Sequence, residues 1–122
     1  MAHILVIDDD DALRQMLRAM IWAMGHTVAE AAEGAEARAV FTQTQTDVIV
    51  TDLLMDGQDG FQTIGYFRKH HPAAKIIAMT GGGSIEPATY LHVAQSLGAH
   101  SVLAKPFSQE AFQQALSDVL NS

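Results

Sequence analysis

The sequence predicts a doubly wound α/β domain built on a five-stranded parallel sheet. Three observations carry this expectation. Short apolar runs alternate with longer amphipathic ones five times along the chain. Several of the apolar runs end in acidic or other polar residues. The length, 122 residues with 48% hydrophobic content, suits one core and one domain. Strict alternation of strands and helices implies parallel pairing, with crossover helices on both faces of the sheet.

Each element has a local reason. His3 to Ile7 is a continuous apolar run that ends in acid, the pattern of a strand buried on both faces. Asp10 or Asp11 can cap the next helix, where Leu13, Leu17, Met20, Ile21 and Met24 recur at helical spacing and Gly25 marks the stop. Thr27 to Ala31 is a weaker strand. Gly34 to about Thr44 reads as a helix with Ala35, Ala39 and Val40 on one side. Asp47 to Thr51 is a β-branched strand ending in acid at Asp52, and turn-rich residues from Asp56 to Gly60 follow. The next helix carries Phe61, Ile64 and Phe67, and Pro72 ends it. Lys75 to Met79 is the fourth strand, followed by the glycine-rich loop Gly81-Gly82-Gly83-Ser84. Pro87 suits the first turn of a helix that Gly98 closes. Ser101 to Leu103 is the fifth strand, and Ser108 caps a last helix with Phe112, Ala115, Leu116 and Val119 on its apolar face.

Composition excludes several function classes. Seven Lys and Arg against fourteen Asp and Glu give a net charge of −7, which argues against a broad basic footprint for direct nucleic-acid binding. With no cysteine, a disulfide framework, a thiolate nucleophile and a Cys-based metal site are all excluded. The first apolar run is too short for a signal peptide or a membrane span, so a soluble cytoplasmic protein with no membrane contact is expected. The six histidines show no His-x-His or His-x-x-x-His ligand pair. Met16, Met20 and Met24 read as helix face and core filler, whereas Trp22 falls off the main apolar stripe.

The chemistry lies at the strand ends. Asp8 and Asp9 follow the first strand, Asp52 the third, Thr80 the fourth and Lys105 the fifth. A parallel sheet brings all these ends to one edge, where open α/β sheets bind ligands. Two carboxylates about 4 Å apart repel by roughly 4 kcal/mol at an effective dielectric near 20. Lys105 alone does not balance three acids, so a hard divalent ion is implied, and Mg2+ suits a site of few carboxylates and several waters. A hydroxyl, an ammonium and Mg2+ around one carboxylate form a cradle for a phosphoryl group, with Asp52 as the nucleophile that becomes an acyl phosphate.

The set Val6-Ile7-Asp8-Asp9, Val50-Thr51-Asp52, Asp59-Gly60, Met79-Thr80-Gly81 and Lys105-Pro106-Phe107 resembles the receiver domain of bacterial two-component response regulators. The resemblance runs from His3 to about Leu120 and implies the (βα)5 flavodoxin-like fold, as a single receiver domain over residues 1–122 with no output domain. It implies that Asp52 takes a phosphoryl group from a phosphohistidine on a sensor histidine kinase or a histidine phosphotransfer protein. It also implies Mg2+ ligation by Asp9 and Asp52, by Asp8 through water, and by the backbone carbonyl of Leu54. Thr80 matches the switch hydroxyl and Lys105 the ammonium that pairs with the phosphoryl group, with the Lys105–Pro106 bond in cis. Output would pass to a downstream protein partner, and the only catalysis would be of the domain's own phosphorylation and dephosphorylation.

Three features depart from the family pattern. Val102 stands where the family often has an aromatic residue, Asp56 stands where it commonly has proline, and the stretch from Thr80 to Lys105 is a few residues longer. Two other readings compete. A Mg2+-dependent phosphohydrolase would use the same aspartyl phosphate, but Asp8-Asp9-Asp10-Asp11-Ala12 lacks the final Thr or Val of that pattern. The other is a pseudo-receiver that binds partners without phosphorylation.

Overall fold

A computed structural model of the chain describes residues 1–43, 45–53, 60–81 and 87–122. In chain order the elements are β1 (His3–Ile7), α1 (Asp11–Ala23), β2 (Thr27–Ala31), α2 (Gly34–Gln43) and β3 (Val48–Asp52), followed by α3 (Gly60–His70), β4 (Lys75–Thr80), α4 (Pro87–Leu97), β5 (Ser101–Ala104) and α5 (Gln109–Leu120). The strands form one parallel sheet in the order β2-β1-β3-β4-β5, the flavodoxin-like arrangement. The boundaries differ little from expectation. β3 starts and ends one residue later, which makes Asp52 its last residue, and β4 and β5 each extend by one residue, to Thr80 and Ala104.

The sheet divides two cores by the period of two that governs strands. Ile4, Val6, Val48, Val50, Ile77 and Met79 pack with Leu17, Ile21, Phe112 and Leu116 of α1 and α5. Leu5, Ile7, Ile49, Ile76 and Ala78 pack on the other side with Ala37, Ile64 and Phe67 of α2 and α3. The central strands are therefore apolar at almost every position, as burial on both faces demands. The edge strands β2 and β5 are only partly buried.

Caps fall where the sequence places them. The side chain of Asp10 accepts the Leu13 N–H at the start of α1, and Ser108 accepts the Ala111 N–H at the start of α5. Gly25 and Gly98 follow α1 and α4 with φ of +90° and +108°, a left-handed conformation that needs no side chain.

Two expectations about packing are corrected. Ala35 and Ala39 are exposed, and the inward face of α2 runs through Ala37 with Val40 and Phe41. Alanine occurs all round this helix, so the large Phe41 side chain decides which face is buried. Met16 is 46% exposed and fills no core. Trp22, 68% exposed, does lie off the apolar stripe.

Truncating Phe67, fully buried between α3 and the sheet, should destabilise the domain by about 3–5 kcal/mol. The check is a lower urea midpoint for Phe67→Ala with an unchanged denaturant slope. In the same assay Trp22→Ala should alter stability by less than about 0.5 kcal/mol.

Candidate functional site

Strand register builds the site. Ile7 pairs with Thr51, so the next residues, Asp8 and Asp52, emerge side by side from β1 and β3. Both continue the face already occupied by Ile4 and Val6 and by Val48 and Val50, so their carboxylates are placed on the same side of the sheet. Thr80 pairs with Ala104 across β4 and β5, which puts Lys105 one step beyond the switch candidate. The backbone N–H of Lys105 donates to the carbonyl of Thr80. β5 and β3 are two strand spacings apart, roughly 10 Å, and a lysine has the length to reach back across that gap.

The Lys105 Nζ donates to Oδ2 of Asp8 at 3.0 Å and to Oδ2 of Asp52 at 3.1 Å. Asp8 is completely buried and Asp52 is 7% exposed. The second oxygen of Asp8, Oδ1, accepts the Asp10 N–H at 2.9 Å. Asp9 is exposed and completes the cluster, and one carboxylate oxygen from each of Asp8, Asp9 and Asp52 lies within 4.8 Å of the others. Partial burial pulls the Lys105 ammonium down, but the Asp52 charge and the hydrogen bond and charge of Asp8 outweigh it and hold its pKa above the ordinary value. Lys105 is therefore a permanent cation at neutral pH.

Sequence reasoning thus foresaw the assembly of Asp8, Asp9, Asp52 and Lys105 at one edge. Thr80 is buried at the end of β4 and joins them through its carbonyl. The Lys105–Pro106 peptide bond is cis, as the resemblance implies. Val102 is partly buried against the core under α2 and α3. Leu54, Asp56, Asp59 and the loop residues Gly82, Gly83 and Ser84 lie outside the described residues.

Three supporting residues do work that the sequence does not reveal: Arg14 is not singled out there, and Gly60 and Gly81 read only as motif and turn residues. Arg14 donates from Nη1 to the backbone carbonyl of Asp8 at 2.7 Å, from Nη2 to Asp11 at 2.7 Å and from Nε to Glu30 at 3.2 Å. It ties the acidic strand end to α1 and β2 at once. Its i,i+3 spacing from Asp11 was the available signal. Gly60 and Gly81 permit close approach: a Cβ on Gly60 would overlap the Asp52 carbonyl, and one on Gly81 would lie 2.5 Å from the Cβ of Lys105. Beside Lys105 a cleft of about 410 Å3 opens, lined by Leu13, Met16, Gly81, Pro106 and Phe107 among others. The exposed Met16 belongs to this wall.

The donor set suits a hard cation. Three carboxylates share one edge, a single ammonium neutralises part of their charge, and oxygen is the only ligand type they offer.

Sheet order and strand-end pocket together define an α/β signalling domain of the receiver type. The model of the response regulator receiver domain family matches residues 4–117, and the chain belongs to that family. Among curated relatives, the transcriptional regulatory protein GlrR of Escherichia coli (strain K12) is 35% identical over 119 residues, 98% of this chain but 26% of the relative. The chemotaxis protein CheY of Halobacterium salinarum is 28% identical over 120 residues, 98% of both chains. Among solved structures, a receiver domain protein from Clostridium thermocellum superposes with a TM-score of 0.89 at 28% identity, covering 99% of this chain and 95% of that one. CheY4 of Vibrio cholerae gives a TM-score of 0.87 at 29% identity over 98% of each chain. The chain spans about a quarter of the length of the first two curated relatives, 26% in each case. Receiver domains bind Mg2+ at an acidic pocket, and response regulators interact with sensor kinases and downstream effectors. No helix among the described residues is long and apolar enough to cross a membrane.

Removing the ammonium leaves Asp8 and Asp52 facing each other uncompensated. Lys105→Met should therefore cost about 2 kcal/mol in the absence of divalent ions, below the ~3–5 kcal/mol of a fully buried pair because Lys105 keeps some access to water. The folded-state pKa is raised, so this contribution is complete below the ordinary lysine value of 10.5 and fades as pH climbs through the raised value. Urea unfolding of both proteins should give a constant difference from pH 7 to about 10 and a shrinking one above it.

Proposed function

We propose that this domain is a phosphoryl-accepting receiver in which Asp52 is the acceptor. The observation that carries the reading is the convergence of Asp8, Asp9 and Asp52 within 4.8 Å, with Lys105 bonded to two of them. The donor is a phosphohistidine on a sensor histidine kinase or a histidine phosphotransfer protein. Transfer breaks the P–N bond and forms a P–O bond to the Asp52 carboxylate. The imidazole leaves with the electron pair and takes a proton from solvent, while Asp52 becomes an acyl phosphate.

The residues divide the work by position. Asp52, at the end of β3, presents its carboxylate at an edge with little water access, where charge interactions are strong. Asp9 and Asp52 would hold Mg2+ directly, with the carbonyl of Leu54 as a further ligand. Asp8 would act through water, because both of its oxygens already accept hydrogen bonds. When bound, Mg2+ neutralises charge on the phosphoryl oxygens. Lys105, already on Asp52, pairs with the incoming phosphoryl oxygens. The buried Thr80, next to Lys105 in register, supplies the switch hydroxyl.

Output passes by contact with a downstream protein rather than by direct nucleic-acid binding, and the domain's only chemistry is its own phosphorylation and dephosphorylation. The apolar cleft beside Lys105 gives such a partner a wall that adjoins the acceptor site. With Val102 in place of an aromatic side chain, the switch reaches the surface through Thr80, Gly81 and Lys105.

Incubation with phosphoramidate and Mg2+ should add one phosphoryl group by intact mass, absent in Asp52→Ala and in EDTA. Turnover of varied phosphate esters would instead mark a hydrolase, and no adduct under any condition would leave a partner-binding pseudo-receiver. Mg2+ at a hundredfold excess over its Kd should stabilise the wild type by ~2.7 kcal/mol and Asp9→Asn far less, read from thermal melts.

A further inference from the structure

The net charge of −7 conceals an uneven distribution. Eleven of the fourteen acids precede Gly60, and from Gly60 to Phe107 the only acid is Glu86. Among the seven Lys and Arg, Arg14, Arg18 and Lys105 are paired with carboxylates. The other four, Arg38, Arg68, Lys69 and Lys75, form no ion pair among the described residues. Arg38 lies over the Tyr66 ring at 4.1 Å. The remaining three sit at the opposite end of the sheet from Asp52.

Several contacts anchor that end. Arg68, in the last turn of α3, donates from Nη1 to the Pro72 carbonyl at 3.0 Å. Its side chain runs against the α4–β5 connection, where a Cβ on Gly98 would lie 2.8 Å from the Arg68 Nε. In the same connection His100 donates its N–H to the Ile76 carbonyl at 2.8 Å and accepts the Ile76 N–H on Nδ1 at 3.0 Å. Lys75 adjoins Ile76 and Arg68 packs against Gly98, so both cations flank His100, and burial first, then their charges, pull His100 below its ordinary pKa. Lys69 and His70 are exposed beside them. The nearest acid by backbone contact is Asp47, whose carbonyl accepts the Lys75 N–H, but its carboxylate is engaged by the His3 N–H at 2.8 Å.

We propose that the last turn of α3, the start of β4 and the α4–β5 connection, carrying Arg68, Lys69, Lys75 and His100, form a docking site for an acidic segment of a partner protein. Among the described residues Arg68, Lys69 and Lys75 form no ion pair, and Arg68 and His100 are already held by hydrogen bonds, which lowers the entropy lost on binding. A short acidic peptide segment fits this surface better than a nucleic acid. An extended polyanion would meet the acid-rich remainder of the chain, whose field is screened only beyond about 8 Å at physiological salt. The surface lies away from Asp52, so the proposal goes beyond the phosphoryl-acceptor reading and stands or falls separately from it.

The test is fluorescence anisotropy of a labelled, glutamate-rich peptide titrated with the unphosphorylated chain, with amide shifts mapped by NMR. Saturable, salt-sensitive binding is expected, with shifts at residues 68–71, 75 and 98–100. It should weaken about tenfold in Arg68→Gln/Lys69→Gln/Lys75→Gln and stay unchanged in Arg18→Gln. If the triple variant does not fold, Lys69→Glu, at an exposed position, carries the same expectation. No binding, equal binding by the variants, or shifts mapping elsewhere would overturn the proposal. So would tighter binding of a single-stranded oligonucleotide, or sedimentation showing that a second copy of the chain occupies the surface.

Discussion

A single ammonium shared by two buried carboxylates is the interaction on which the strand-end edge depends. Asp8 and Asp52 emerge side by side because β1 and β3 pair in a register that leaves no other arrangement. Uncompensated, two such charges about 4 Å apart would repel by roughly 4 kcal/mol at an effective dielectric near 20, a large part of the stability of an ordinary domain. Lys105 converts that repulsion into a pair of charge-assisted hydrogen bonds. Its own position rests on the β4–β5 register and on Gly81, which leaves room for its side chain. Arg14 serves the same end from the other side by fixing the carbonyl of Asp8.

This edge was legible in the sequence because parallel strands turn chain order into spatial order. Four of the five apolar runs end where a site residue begins, so Asp8, Asp52, Thr80 and Lys105 could be assigned to one edge without any contact being known. The helix caps were legible for a similar reason, since Asp10 and Ser108 act within three residues of themselves. Contacts made across the fold left no such trace. Gly60 and Gly81 matter because other chain segments pass close to them, and Arg14 acts on a backbone carbonyl that carries no sequence signature. The inward face of α2 was misassigned because alanine, nearly neutral between core and surface, marks neither.

Net charge was the least informative quantity for function, since it averages over two edges with opposite chemistry. The strand C-termini gather acids and one lysine, whereas the strand N-termini gather cations and histidines. Helix electrostatics explains part of this pattern. Basic residues in the last turn of α3 favour the negative end of its dipole, and Arg68, Lys69 and His70 stand there. The dipole does not explain Lys75, which opens a strand, or the near absence of acids from Gly60 to Phe107. A solvated surface serving stability alone would gain from interspersed acids, because each opposite-charge pair contributes a few tenths of a kcal/mol and relieves repulsion among cations. Arg68, Lys69 and Lys75, which form no ion pair among the described residues, give up that gain there. The proposed docking of an external carboxylate accounts for both the missing acids and the anchored geometry, which helix electrostatics leaves unexplained.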